Sequence, residues 1–280
     1  VDGNEFESSN ENSAVTCPSA DECLAVDGLG TDDPVALHIP LGGSDPATVE
    51  QLPFVPASGA DTARMNGISC ASATYCVAIG EQYHAGSGDE EDPSDFSWFY
   101  DVDDNGTWTT HEIPMITEDD PHSHAAIEAD AVDCASTGTC YIVGHLGSDD
   151  APPPVAWPDS ATITRVSTSG ASTVVPAVPD RYLGESRLNS IDCAAGPVCQ
   201  TYGGSSDVVR GHGVGESFTT RLGAPQRPMY VNFPKFSHGQ LLQTAMACRS
   251  ADDCVIAGTV HIADGSDHGQ GRNGLYLLHN

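Results

Sequence analysis

The sequence has few cationic residues. Ten Lys and Arg residues stand against forty Asp and Glu residues among 280, the formal net charge is −30, and the only lysine is Lys235. Such a chain repels phosphate backbones and anionic lipid, which excludes nucleic acid and membrane surfaces as partners. No run of eighteen apolar residues occurs, so membrane insertion is also excluded. We interpret the acidic excess as a solvated surface, with a cation-rich face or basic partners as alternatives.

The sequence also lacks the common catalytic fingerprints. No Gly-x-Ser-x-Gly elbow, P-loop or dinucleotide-binding glycine motif occurs. No stretch carries a sustained 3.6-residue apolar stripe, and the 29 Gly and 19 Pro residues break helices, so helical solenoids are excluded. Short β-rich runs between turn residues indicate an all-β protein.

Cysteine is present in a repeated pattern. Two cysteines are separated by five residues and followed by three mostly apolar residues and usually Gly. An even number of cysteines in matched pairs predicts disulfides, an oxidising compartment and a secreted, extracellular protein. Zinc sites use shorter Cys-x2-Cys spacing or mixed Cys and His, so local disulfides explain the pairs better. The pairs are Cys17 and Cys23, Cys70 and Cys76, Cys134 and Cys140, Cys193 and Cys199, and Cys248 and Cys254.

The repeat length indicates a ring. The first cysteines are 53, 64, 59 and 55 residues apart, and the chain beyond Cys248 together with the residues before Cys17 gives a fifth interval of similar length. Self-similarity at this period is typical of propellers. We therefore predict a single five-bladed β-propeller of four-stranded antiparallel blades with one hairpin disulfide per blade. The predicted blades are residues 13–63, 64–127, 128–187, 188–242 and 243–280, the last closed by 1–12. Either residues 1–6 supply the outer strand of the fifth blade, or that blade is one strand short.

Each repeat is predicted to contain four strands. The first ends at the first Cys, and its residue two positions earlier is apolar in every repeat, as in Val15, Ile68 and Val132. The second follows the second Cys. The fourth ends in an apolar residue followed by Pro, which an outer edge strand tolerates.

The Cys-x5-Cys-x-Ala-Val-Gly type repeat resembles that of extracellular bacterial propellers, and the resemblance covers essentially the whole chain. It implies the propeller architecture without implying an activity. Five blades are similar in fold to tachylectin-like lectins and to arabinanase-like glycoside hydrolases.

One end of the predicted propeller is favoured as the functional face. Its connections are long and variable, whereas the disulfide hairpins are short, and function tends to lie on variable loops. The residue four before the first Cys is polar in every repeat and predicts a ring there: Ser13, Asn66, Asp130, Asn189 and Thr244. The predicted ligand-binding residues are Asn66, Asp130, Asn189, Tyr83 and Tyr182, the tyrosines because aromatic faces stack on sugars.

The connections at the predicted functional face mix acidic residues with His. This mixture predicts a divalent cation, calcium or another, as a cofactor. Its predicted ligands are His84, His122, His124 and His145. A second interpretation of the same kind is the calcium-loop spacing of Asp101, Asp103 and Asn105. The alternative there is a tight hairpin turn, because Asn105-Gly106 between two β runs is a strong hairpin signal.

The sequence favours a non-catalytic, lectin-like protein that binds carbohydrate, such as a cell-surface glycan, and gives no oligomeric state. The first alternative is a glycoside hydrolase, which needs converging carboxylates; Asp130, Glu81 and Glu128 would then be catalytic. The second is a cell-surface or filament interaction module.

Overall fold

The computed structural model describes most of the repeat cores. The described residues are 14–27, 34–43, 45–53, 62–83, 96–113, 116–117, 124–147, 161–167, 172–176, 185–193, 199–209, 212–222, 229–230, 239–250, 253–263 and 271–279. This part of the chain is all-β, with no helix long and apolar enough to cross a bilayer.

The strands form five antiparallel sheets that follow one another along the chain. The first contains β1 (Ala14–Thr16), β2 (Glu22–Asp27), β3 (Val35–Pro40) and β4 (Thr48–Gln51). The second contains β5 (Thr62–Ser72), β6 (Tyr75–Tyr83), β7 (Phe96–Asp104) and β8 (Trp108–Glu112). The third contains β9 (Ile116–Thr117), β10 (His124–Ser136), β11 (Thr139–Gly147), β12 (Ala161–Ser167) and β13 (Ser172–Pro176).

The fourth sheet contains β14 (Glu185–Asp192), β15 (Gln200–Val209), β16 (His212–Arg221) and β17 (Met229–Tyr230). The fifth contains β18 (Gly239–Ser250), β19 (Asp253–Ala263) and β20 (Gly271–His279). Strands that follow one another in the chain are neighbours in every sheet, and the short β9 pairs with the first two residues of β10. The predicted outer strand from residues 1–6 lies outside the described residues.

Each sheet packs its inner strand against the next sheet. β1 and β2 contact β5, β5 contacts β10, β10 and β11 contact β14, and β14 contacts β18. Three apolar clusters fill the spaces between the first four sheets, centred on Leu24 and Phe99, on Tyr75 and Ile142, and on Val143 and Leu188.

The apolar residues two before the first cysteines are buried in the middle sheets. Ile68, Val132 and Ile191 are all less than 9% exposed. Val15 differs, with 65% of its side chain exposed. Its neighbour Ala14 packs against the second sheet, and because alternate strand residues face opposite sides, Val15 faces away from that contact.

All five predicted disulfides are present and no free cysteine remains. Each closes a hairpin between two neighbouring strands of its sheet, β10 and β11 in the third, with Cα atoms 3.9–4.0 Å apart. Three of the bonded pairs, Cys70 with Cys76, Cys134 with Cys140 and Cys248 with Cys254, are direct cross-strand neighbours in the ladder. We call this end of the sheets the disulfide end.

The disulfide end also links one sheet to the next. The side chain just before the first Cys of one sheet accepts a hydrogen bond from the backbone N–H of the first Cys of the next. Ser69 Oγ accepts from Cys134 at 3.2 Å, Asp133 Oδ2 from Cys193 at 2.5 Å, and Asp192 Oδ2 from Cys248 at 3.1 Å. Ser69 also donates to Asp133 Oδ1 at 2.5 Å.

The inner strands begin earlier than the sequence indicates. β10 has 13 residues and β18 has 12, because each strand begins well before the residues that directly precede its first Cys. The extra length lies at the end opposite the disulfides.

Candidate functional site

The polar residues four before the first cysteines are β-bulges in the three middle sheets. The register of β5 with β6 skips Asn66, that of β10 with β11 skips Asp130, and that of β14 with β15 skips Asn189. In the fifth sheet the bulge is one residue earlier, at Gln243, so Thr244 is paired. Ser13 lies outside the described residues. Bulges bend a strand and redirect side chains, and they are frequent beside binding sites. We call this end of the sheets the bulge end.

The bulge explains why the repeat has a glycine four residues after the second Cys. Gly80 and Gly144 each stand four residues after the second Cys, opposite the residue just before the bulge. A Cβ on Gly80 would lie 2.5 Å from the carbonyl oxygen of Arg64, and one on Gly144 would lie 1.7 Å from that of Glu128. The bent strand therefore approaches its neighbour too closely for any side chain.

The bulge end carries cross-strand ion pairs at one register position. In the second sheet Arg64 pairs across the strands with Glu81, and Arg64 Nε donates to Glu81 Oε1. Glu81 is only 5% exposed. In the third sheet the same position holds Glu128 opposite His145, with the two charges exchanged between strands.

His145 lies between two carboxylates. Its Nδ1 is 3.1 Å from Asp130 Oδ2, and its Nε2 is 3.2 Å from Glu128 Oε2. The imidazole is completely buried, whereas the carboxylates of Asp130 and Glu128 are 30% and 34% exposed. Burial alone would lower the pKa of His145, but hydrogen bonds to Asp130 and Glu128 and their charges raise this pKa to about 9. His145 is therefore an imidazolium at neutral pH, hydrogen-bonded through Nδ1 to Asp130 and ion-paired through Nε2 with Glu128.

Asn66 contributes an acceptor without a partner. The residue is partly buried, and its Oδ1 is buried with no hydrogen-bond partner in the described part of the chain. A buried polar atom of this kind is normally satisfied by protein, water or ligand. The bulge end thus combines carboxylates, a carboxamide and paired cations.

Several predicted site residues have side chains that the structure does not describe. Tyr83 ends β6 and His124 begins β10, but their side chains are outside the described part of the structure. His84, His122 and Tyr182 are also outside it. Within the described residues, no group of three or more His, Cys, Asp or Glu side chains is placed to hold a metal ion. The cation at His84, His122, His124 and His145 stays a prediction.

The Asp101 to Glu112 stretch is a β-hairpin at the disulfide end. Asn105 and Gly106 have positive φ angles of 57° and 79°, and Asp103 pairs with Trp108 across the turn. The tight-turn prediction is confirmed. Asp103 Oδ1 accepts from the Gly106 N–H at 2.7 Å, and Asp101 lies completely buried in β7. Calcium at Asp101, Asp103 and Asn105 stays a prediction.

Sequence reasoning named Asp130, Glu128 and Glu81 as candidates but missed Arg64 and the pairing of His145 with Asp130 and Glu128. The signal was present: Arg64 and Glu128 both stand six residues before the first Cys, and Glu81 and His145 both stand five after the second. It also missed His38, whose Nδ1 and Nε2 lie 2.9 Å from Glu22 and 3.0 Å from Glu50 in the first sheet.

Comparison with known proteins finds solved structures of low sequence identity and low TM-score. No protein-family model and no curated protein matches the chain. A solved structure titled glycoside hydrolase is 7% identical with a TM-score of 0.42, covering 95% of this chain and 88% of that one. The hemagglutinin-neuraminidase of parainfluenza virus 5 with ligand DANA is 9% identical with a TM-score of 0.39, covering 81% and 64%. A levansucrase mutant of B. megaterium is 8% identical with a TM-score of 0.38, covering 96% and 82%.

Proposed function

We propose that this chain is a secreted five-bladed β-propeller that binds a carbohydrate at its bulge end without cleaving it. Five consecutive antiparallel sheets, each packed on the next by its inner strand, support the propeller. Five disulfides are typical of extracellular proteins and support secretion.

The observation that carries the binding proposal is the repeated polar bulge. Asn66, Asp130 and Asn189 occupy the same place in three neighbouring sheets. Carboxamide and carboxylate groups supply the donors and acceptors that sugar hydroxyls need. The long connections 84–95 and 148–160 begin at this end, after β6 and β11, and binding residues are concentrated on such segments.

Binding is favoured over hydrolysis by the position of His145. Glycoside hydrolysis needs two carboxyl groups that flank the scissile bond with room for the bond or a water between them. Asp130 and Glu128 do approach each other, but they sit on opposite edges of one buried imidazole ring. Glu81 is held by Arg64. Because these carboxyl groups are engaged by cations, we favour binding over hydrolysis.

A glycan array probed with the intact, disulfide-bonded chain tests this proposal. We expect at least one glycan to bind without being released as a shorter product. Asp130→Ala and Asn66→Ala should each weaken that binding. The matched control is Asp104→Ala, which removes an exposed carboxylate at the disulfide end and should leave binding unchanged.

Hydrolysis is the second candidate because Glu81, Glu128 and Asp130 lie at one end of adjacent sheets. Release of reducing sugar from an array hit, lost in Asp130→Asn, would establish the hydrolase and overturn the non-catalytic proposal.

A further inference from the structure

The charged side chains described at the bulge end are paired with one another, three carboxylates against two cations. Arg64 is paired with Glu81, and His145 is paired with both Glu128 and Asp130. This balance departs from the rest of the chain, where forty acidic residues stand against ten basic ones. Arg187 adds a further cationic residue at the same register, opposite Gly204 in the fourth sheet.

We propose that the ligand of this end is an uncharged polyhydroxyl compound, a neutral sugar in preference to a uronic or an amino sugar. The inference rests on the proposed function and narrows it to one chemical class.

Among the side chains that the structure describes at this end, both cations, Arg64 and His145, are already paired with carboxylates. To reach Arg64 the carboxylate of an anionic sugar would have to displace Glu81, which is 5% exposed and would be left buried without its counter-charge. It would also approach a chain of net charge −30, which repels it at long range.

A cationic sugar meets two carboxylates that already share the imidazolium of His145 as their counter-charge. Asp130 and Glu128 both lie against the imidazolium of His145, which is completely buried and held between them. An ammonium group would have to share these carboxylates with a cation that cannot move away. Repulsion between two like charges then opposes the attraction of the chain as a whole.

A neutral hydroxyl suits the same groups. The exposed part of the Asp130 carboxylate accepts a hydroxyl proton in a charge-assisted hydrogen bond, and the buried Oδ1 of Asn66 accepts another. Neither bond requires an existing ion pair to break.

The test uses isothermal titration of the intact chain with matched oligosaccharides at 50 and 500 mM NaCl. Chitin and chitosan hexamers share a backbone and differ in the ammonium groups. Galactan and galacturonan tetramers differ in the carboxylates. Each glycan that binds on the array is titrated as well, together with a charged oligosaccharide of the same backbone. We expect binding confined to the neutral members, with affinity changing less than about twofold between the two salt concentrations, because a neutral ligand has no charge to screen.

Two variants make the role of neutralisation measurable. His145→Gln leaves Asp130 and Glu128 without a counter-charge and should create roughly tenfold tighter binding of the chitosan hexamer than in the parent chain. Arg64→Gln leaves Glu81 without a counter-charge and should shift preference in the same direction if His145→Gln does not fold.

Preferential binding of galacturonan or chitosan by the parent chain would overturn this inference while leaving carbohydrate binding intact. Failure of every glycan to bind would overturn the proposed function and this inference together. An unchanged charge preference in a folded His145→Gln variant would show that neutralisation does not set specificity.

Discussion

The Cα atom of Gly144 lies against the carbonyl group of Glu128, so close that a Cβ atom would stand 1.7 Å from the oxygen. This close approach exists because Asp130, two residues after Glu128, is a bulge that bends β10 towards β11. Motif glycine, bulge and the Glu128–His145 pair are therefore parts of one local geometry.

Replacing this glycine should cost stability. Gly144→Ala forces backbone atoms apart and should lower the free energy of unfolding by about 3 kcal/mol or more. Gly80→Ala should cost less, because its nearest contact is 2.5 Å and two of its neighbours are side-chain atoms of Phe99 and Met65. Urea unfolding followed by tryptophan fluorescence measures both.

Gly43→Ala is the control, since its nearest backbone neighbour is 3.6 Å away. It should stay within about 0.5 kcal/mol of the parent. Equal stability of Gly144→Ala and Gly43→Ala would contradict the packing described for the bulge.

Asp133 should be a second sensitive position, because it connects three sheets. Its carboxylate accepts from Ser69 in the second sheet, from the N–H of Cys134 in its own, and from the N–H of Cys193 in the fourth. Asp133→Ala leaves buried donors without an acceptor and should cost about 2–4 kcal/mol. Asp133→Asn keeps one acceptor oxygen and should cost less. An exposed carboxylate, Asp104, gives the comparison variant Asp104→Ala, expected to be neutral.

Much of this fold could be predicted from local spacing. Five residues between bonded cysteines define a hairpin, so the disulfides and the two strands that each of them joins follow from the sequence alone. The hairpin at Asn105-Gly106 follows in the same way from the turn preference of those residues.

The bulges and the partners of His145 could not be predicted in this way. A bulge is a property of two strands in register, and one skipped residue decides which side chains meet. Asp130 was placed in a ring by its distance from Cys134, but that it reaches His145 depends on the skipped position in β10. For the same reason the contacts of the two His145 ring nitrogens with Asp130 and Glu128 do not follow from the sequence.

Buried Asp101 should make stability depend on pH. Both its carboxylate oxygens are buried, and burial raises the pKa of Asp101 from 3.8 to about 7. Because the folded pKa is raised, the favourable contribution is full below pH 3.8 and is lost as pH rises through about 7. The loss amounts to about 4 kcal/mol at alkaline pH.

Asp101→Asn removes this titration. Relative to the parent, it should gain unfolding free energy between pH 5 and pH 8.5, in urea titrations at each pH. Asp104→Asn, at an exposed position in the same strand, should keep the parent's pH dependence. Parallel pH profiles for Asp101→Asn and the parent would refute the titration assigned to Asp101.

His145 should add a second alkaline loss. The pKa of its imidazolium is raised from 6.5 to about 9, so its stabilising contribution is full below pH 6.5 and disappears as pH rises through about 9. The shift corresponds to about 3 kcal/mol. Measured in the Asp101→Asn background, the unfolding free energy should still fall between pH 7 and pH 9.5, and adding His145→Gln should flatten it. All ten cysteines are in disulfides, so no free thiol is available to start disulfide exchange in this range. A profile that stays sloped after His145→Gln would show that some other group, and not the imidazolium between Asp130 and Glu128, loses its proton there.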